Sequence, residues 1–228
     1  MRIYKFGGAS VKDAEGIKNL FSIMKQEGFD KTLLIISAMG KTTNAFELVV
    51  KNYFENKNEL QYSINQIFEF HNTVLLELFL DKNHEVFNEI KLIFDNLKVF
   101  LKRNKSPNYS FVYDQVVPCG EILSTKIISA FLNLSGVKSN WLDSRELIKT
   151  DSNYRDADID WKLTQKNISE NIDKKKLNIT QGFSGSNQNN ILILRISWMI
   201  YMNFASDFIQ ALNFLVSHMS PSQTCLGV

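Results

Sequence analysis

Lys5-Phe6-Gly7-Gly8-Ala9-Ser10-Val11 brings a cation, two adjacent glycines and a hydroxyl into one short stretch. It lies between a β-prone run, Arg2-Ile3-Tyr4, and a helical stretch from Lys12 to Gly28. Glycines at a strand-to-helix turn permit positive φ and close approach of backbone to a ligand. The helix start that follows offers amide N–H groups and a positive dipole end to an anion. Lys5 adds a point charge, so the segment reads as a phosphate site, and its plainer reading is a turn. It is not a Walker loop: Gly40-Lys41-Thr42 has Ile35 where the first glycine of that motif belongs.

Four more segments carry residues of the same chemical kind. Ser37-Ala38-Met39-Gly40-Lys41-Thr42-Thr43-Asn44 follows the apolar run Thr32–Ile36, and Cys119-Gly120-Glu121-Ile122-Leu123-Ser124-Thr125 leads into an apolar helix. Asp143, Arg145, Thr150 and Asp151 form a D-x-R-x-x-x-x-T-D pattern, and Thr180-Gln181-Gly182-Phe183-Ser184-Gly185 forms T-Q-G-F-x-G. In this order the five segments resemble the aspartate kinase family of the amino-acid kinase superfamily, whose opening motif is K-F-G-G-[TSA]-S. The likeness covers residues 1 to about 190.

That resemblance implies transfer of the γ-phosphoryl of ATP, taken up with Mg2+, to the β-carboxylate of L-aspartate, the first step toward lysine, threonine and methionine. A carboxylate is already ionised at neutral pH and needs no general base. The reaction needs alignment, with cations and N–H donors to bring two anions together. By resemblance, Lys5 is the catalytic cation, while Gly7, Gly8 and Ser10 hold phosphate oxygens. Ser37, Thr43, Glu121 and Phe183 bind the amino acid, Glu121 by accepting from its α-ammonium. No resident metal site is implied. Plainer roles stand beside these: Ser37 or Thr43 could cap a helix, and Glu121 could sit unpaired at a helix start, where its charge is favourable. Asp143 and Arg145 read as a structural ion pair or a strand-end cap.

Beyond Asn190 the expected T-T-T-L-G-R-[GE]-G-S-D segment is replaced by Ile191-Leu192-Ile193-Leu194-Arg195-Ile196-Ser197-Trp198-Met199-Ile200. The expectation is therefore an amino-acid-kinase-like domain over 1–190 and a divergent tail over 191–228, with no family regulatory domains. Arg195 is the tail's one candidate for the family's substrate-carboxylate arginine. The rival reading is a non-catalytic chain, a pseudoenzyme or truncated product that binds an amino acid or a partner chain without turnover.

These residues need a scaffold that holds several loops at one edge. Short strands at 2–4, 32–36, 137–142 and 177–180 alternate with helical stretches, which argues an α/β fold. The expected architecture is a three-layer αβα sandwich with a mainly parallel sheet, incomplete at the C-terminus, whose uncovered edge is compatible with a homo-oligomer. Ile17, Leu20, Phe21 and Met24 keep helical spacing. One long stripe runs through Leu60, Ile64, Ile67, Phe68, His71, Val74, Leu75 and Leu78; another carries Val86, Ile90, Ile93, Phe94, Leu97 and Leu101. His71 on the first stripe reads as a core histidine, and His84 and His218 have no evident partner.

Composition sets the outer bounds. At 228 residues, 44% hydrophobic, with 17 Phe and three Pro, the chain can bury a substantial core. A formal net charge of +2 gives no nucleic-acid footprint, and Lys174-Lys175-Lys176 reads as a solvated face. Two cysteines without metal spacing suit a reduced cytoplasmic setting, and Cys119 reads as a buried bystander thiol. The first residues do not resemble a signal peptide. The apolar stretch 191–216 is too interrupted by polar residues for a membrane span.

Overall fold

The computed structural model describes residues 1–182, 184–189 and 191–194. β1 (Arg2–Phe6) leads through a turn into α1 (Ala14–Glu27), and β2 (Thr32–Ile36) into α2 (Thr42–Glu55). A helical block follows: α3 (Lys57–Leu78), α4 (Glu85–Arg103), α5 (Tyr109–Val116) and α6 (Cys119–Leu134). The chain then forms β3 (Ser139–Trp141), α7 (Ser144–Leu147), α8 (Trp161–Asn171) and β4 (Leu177–Gln181). A small hairpin of β5 (Ser184–Ser186) and β6 (Leu192–Leu194) closes the described region.

The main sheet has the order β1-β2-β4-β3, and every pairing is parallel. Register sets which side chains share a face. Tyr4, Leu34 and Ile179 lie in one row, with Phe6, Ile36 and Gln181 in the next alternate row. That face carries the main core, where Leu34, Ile36 and Ile179 are fully buried with Ile17, Met24, Phe46, Ile64 and Phe94. α6 packs on this side against β2, β3 and β4. The opposite face presents Lys5, Ile35 and Thr180 in one row, and Leu33 with Asn178 in another. The Asn140 side chain reaches the Asn171 carbonyl at the end of α8, 3.2 Å away. The sheet thus lies between helical layers, as the alternation of strands and helices predicts.

Most of both long stripes is buried at its predicted spacing: Ile64, Ile67, His71, Val74, Leu75 and Leu78 on α3, and Val86, Ile90, Phe94, Leu97 and Leu101 on α4, with Leu60, Phe68 and Ile93 only partly buried against them. Local chemistry then trims the predicted boundaries. α1 starts at Ala14, not Lys12, because Asp13 accepts from the Gly16 amide and caps it. α4 is capped by His84, whose Nδ1 accepts from the Val86 amide; this gives that histidine a partner the sequence did not reveal. α8 lies where no element was expected; Asp160 caps it, but only Thr164 and Ile168 are buried, too short an apolar pattern to recognise. Among the described residues no helix is long and apolar enough to cross a membrane.

Candidate active site

Four chain segments meet at the edge of the sheet where the parallel strands end. The first is the turn after β1. Neither Gly7 nor Gly8 has a positive φ, contrary to the conformational role expected of the pair; Gly28, Gly40 and Gly136 adopt that region. Gly8 is required by proximity instead. A β-carbon there would sit 2.5 Å from the Ala38 carbonyl oxygen and 3.0 Å from that of Gly40. Gly7 has open space around the same position. The Gly8 carbonyl accepts from the Gly40 amide at 2.9 Å, and the Phe6 carbonyl from the Ser37 amide at 3.0 Å. The turns after β1 and β2 are therefore stitched together by their backbones. The Ser10 amide closes the first turn onto the Gly7 carbonyl, and Ser10 itself is exposed.

The second segment, Ser37 to Thr43, carries the two hydroxyls predicted to meet the amino acid. Ser37 is half-buried beside Phe6, whereas Thr43 is exposed in the first turn of α2. Neither caps that helix: the cap position is Lys41, and no side chain bonds the amides there. By contrast the start of α1, expected to be open to an anion, is closed by Asp13.

The third segment is the start of α6. Gly120 lets it approach the second turn, since a β-carbon would lie 3.1 Å from Ala38 Cβ and 3.2 Å from Thr42 Cγ2. Glu121 is 6% exposed, and its Oε2 accepts from the Gly182 amide at 3.1 Å. The carboxylate thus has a backbone partner, unlike the unpaired helix-start reading. It also bears on Lys5: partial burial pulls that ammonium below its ordinary value, and the negative charge of Glu121 pulls it back up. Cys119, one residue before Gly120, has its thiol pushed up to about 11 by burial, as suits a bystander.

The fourth segment is the end of β4. Gln181 is 2% exposed and spans two elements: its Nε2 donates to Thr125 Oγ1 at 2.7 Å, and its Oε1 accepts from the Ser144 amide at 2.8 Å. Thr125 Oγ1 also accepts from Trp141 Nε1 at 3.0 Å and donates to the Glu121 carbonyl at 2.8 Å. Gln181 and Thr125 lie within the sequence motifs, where residue type alone points to no role for either. Phe183 and Arg195 lie outside the described residues.

Asp143 and Arg145 form the structural ion pair expected of them, and the cap that Asp143 provides is on the helix α7 rather than on a strand end. Asp143 Oδ1 accepts from the Arg145 amide at 3.0 Å to cap α7, and the carboxylate takes the guanidinium side-on, with Nε at 2.8 and 3.0 Å from its two oxygens. That pairing raises the Arg145 pKa. Thr150 and Asp151 organise the next loop, with the Asp151 carboxylate accepting from the Asn153 and Asp158 amides, each at 3.1 Å. His71 is fully buried, its Nδ1 2.7 Å from the Ile67 carbonyl, and burial lowers its pKa to about 4. Lys176 pairs with Asp173 at 3.2 Å in the exposed turn of the basic triplet.

The arrangement sets one cation, one buried carboxylate and two backbone-stitched turns around the same edge, a geometry able to receive a small zwitterion beside a phosphate. Known proteins share this scaffold. Aspartokinase 1, chloroplastic, of Arabidopsis thaliana is 30% identical over 165 residues, which cover 69% of this chain and 28% of the relative. The bifunctional aspartokinase/homoserine dehydrogenase 1, chloroplastic, of the same plant is 25% identical over 202 residues, 83% of this chain and 21% of the relative. The chain therefore spans less than a third of the length of these curated relatives. Escherichia coli aspartokinase III, solved in complex with aspartate and ADP, superposes with a TM-score of 0.76 at 22% identity, covering 85% of this chain and 43% of that one. The pattern of the Amino acid kinase family matches residues 1–212, and with the parallel sheet and its stitched edge turns this places the chain in that family.

Proposed function

We propose that this chain is the amino-acid-binding part of an aspartate kinase, transferring the γ-phosphoryl of MgATP to the β-carboxylate of L-aspartate. One observation carries the reading: the buried Glu121 carboxylate, held by the Gly182 amide, stands at the strand-end edge where the Gly8 and Gly40 turns are joined and where β1 brings Lys5. A substrate with an α-ammonium and a carboxylate has complementary charges to offer both. Glu121 accepts from the ammonium, and its bond from Gly182 N–H holds the acceptor in place. Lys5, near the end of β1, neutralises charge on the transferring group. Ser37 and Thr43 bond the amino acid from the second turn, and amides of the Gly7–Gly8 turn and the Ser10 hydroxyl meet phosphate oxygens. The relatives named for aspartokinase activity, and the neighbour holding aspartate and ADP, support both substrates.

The finer assignments belong to the same proposal. Residues 1–190 form the amino-acid-binding part and 191–228 a divergent tail; the product enters the route to lysine, threonine and methionine; and the two-cysteine composition suits the cytoplasm. The test is a hydroxylamine trap for aspartyl phosphate, run on folded protein with MgATP and L-aspartate. Aspartate-dependent hydroxamate supports the kinase. Calorimetric binding of L-aspartate without product supports the rival, a chain that binds without turnover, and absence of both overturns the reading. Glu121→Gln is expected to raise the aspartate requirement roughly ten- to hundredfold, the worth of a bond between charged groups, with MgATP use little changed.

A further inference from the structure

We infer that Gln181 is a positioning residue, which with its neighbour Gly182 clamps the N-terminal end of α6, from Glu121 to Thr125, and so sets where the Glu121 carboxylate stands. The clamp has two jaws on consecutive residues. Through its side chain Gln181 holds Thr125 at 2.7 Å, and through its amide Gly182 holds Glu121 Oε2 at 3.1 Å. Thr125 lies one helical turn after Glu121 and donates to that residue's own carbonyl, so both jaws close on the same turn. Trp141 Nε1, on β3, fixes the Thr125 hydroxyl from a third side at 3.0 Å. The other end of the Gln181 amide is anchored to the Ser144 amide at 2.8 Å, which prevents the side chain from swinging away.

The burial of this set gives it consequence. Thr125 is 0%, Ser144 1%, Gln181 2% and Glu121 6% exposed, so water cannot replace a lost partner without rearrangement. Gln181 sits on the main-core face of β4, in register with Ile36, the residue immediately before Ser37. One glutamine thereby ties the carboxylate to the strand edge that also carries the hydroxyl. The kinetic consequence rests on the aspartate-binding reading above; the positional one does not.

The test uses the full chain with Gln181→Met and Thr125→Val, which remove from opposite sides the contact these two residues share, and Thr125→Ser, which keeps the hydroxyl. The ligand-free readout is the Gly182 amide resonance, assigned as the one that follows the Glu121 carboxylate during titration in the wild type and ceases to in Glu121→Gln. It is expected to move in both contact-breaking variants and to stay in Thr125→Ser; an unmoved resonance in either folded contact-breaking variant overturns the inference. Kinetically, each break raises the aspartate KM roughly tenfold with kcat and the MgATP KM within about threefold, and the double variant is no worse than the poorer single one. Equal losses for both substrates, or additive losses, mean general destabilisation and reject the clamp. If the wild type neither binds nor phosphorylates L-aspartate, the function reading fails, and the Gly182 resonance still decides the positional role.

Discussion

The two glycines of the first turn should respond in opposite ways to the same methyl group. Gly8→Ala places a β-carbon 2.5 Å from one carbonyl oxygen and 3.0 Å from another, both of them backbone atoms that cannot swing aside as a side-chain end can. Relief requires the turns after β1 and β2 to separate, which stretches the 2.9 Å bond from the Gly40 amide to the Gly8 carbonyl. Overpacking of this kind costs about 1–3 kcal/mol, and a weakened hydrogen bond about 1 more. The expected loss is therefore about 2–4 kcal/mol, a fall in Tm of roughly 5–15 °C for a domain of this size. Gly7→Ala meets nothing within 4 Å and needs no positive φ. It should be neutral or stabilising by up to about 1 kcal/mol, since alanine restricts the unfolded chain more than glycine does. Paired urea denaturation, followed by circular dichroism and intrinsic fluorescence, measures both. If Gly7→Ala is as damaging as Gly8→Ala, the close approach of the two turns is not what demands glycine, and the stitched-edge account fails.

Other perturbations reach different parts of the structure. His71 has a folded pKa of about 4 against an ordinary 6.5, so between those values the unfolded chain takes up a proton that the native state refuses. Stability is then full above about pH 6.5 and falls by up to about 3 kcal/mol toward pH 4. Denaturation midpoints across that range should show the slope, and His71→Leu should flatten that part of it; an unchanged slope refutes the assignment. Asp143→Ala removes both the cap on α7 and the side-on arginine pair, and is expected to cost about 2 kcal/mol in chemical denaturation. Asp143→Asn keeps a capping oxygen and should lose about half as much; equal losses would show that the cap contributes nothing.

The chain's own pattern of residues determined a good deal. Thr32–Ile36 is a strand with the limits expected, because an apolar run buried on both faces needs no partner to identify it. The stripes on α3 and α4, His71 included, were legible because a helix repeats every 3.6 residues and its apolar positions mark the buried side. Asp143 and Arg145 were readable as a local pair because their partners lie two residues apart. What only the tertiary structure decided involves groups distant in sequence. That Gly8 is needed for the carbonyls of Ala38 and Gly40 depends on two turns some thirty residues apart along the chain, and spacing within either turn carries no trace of it. Gln181 reaches Thr125 across 56 positions, and Gly182 reaches Glu121 across 61. Hydrogen bonds act over a few ångströms whatever the chain distance, so the motifs named the groups available at the site, and only the packing of α6 against the end of β4 decided which of them hold the others in place.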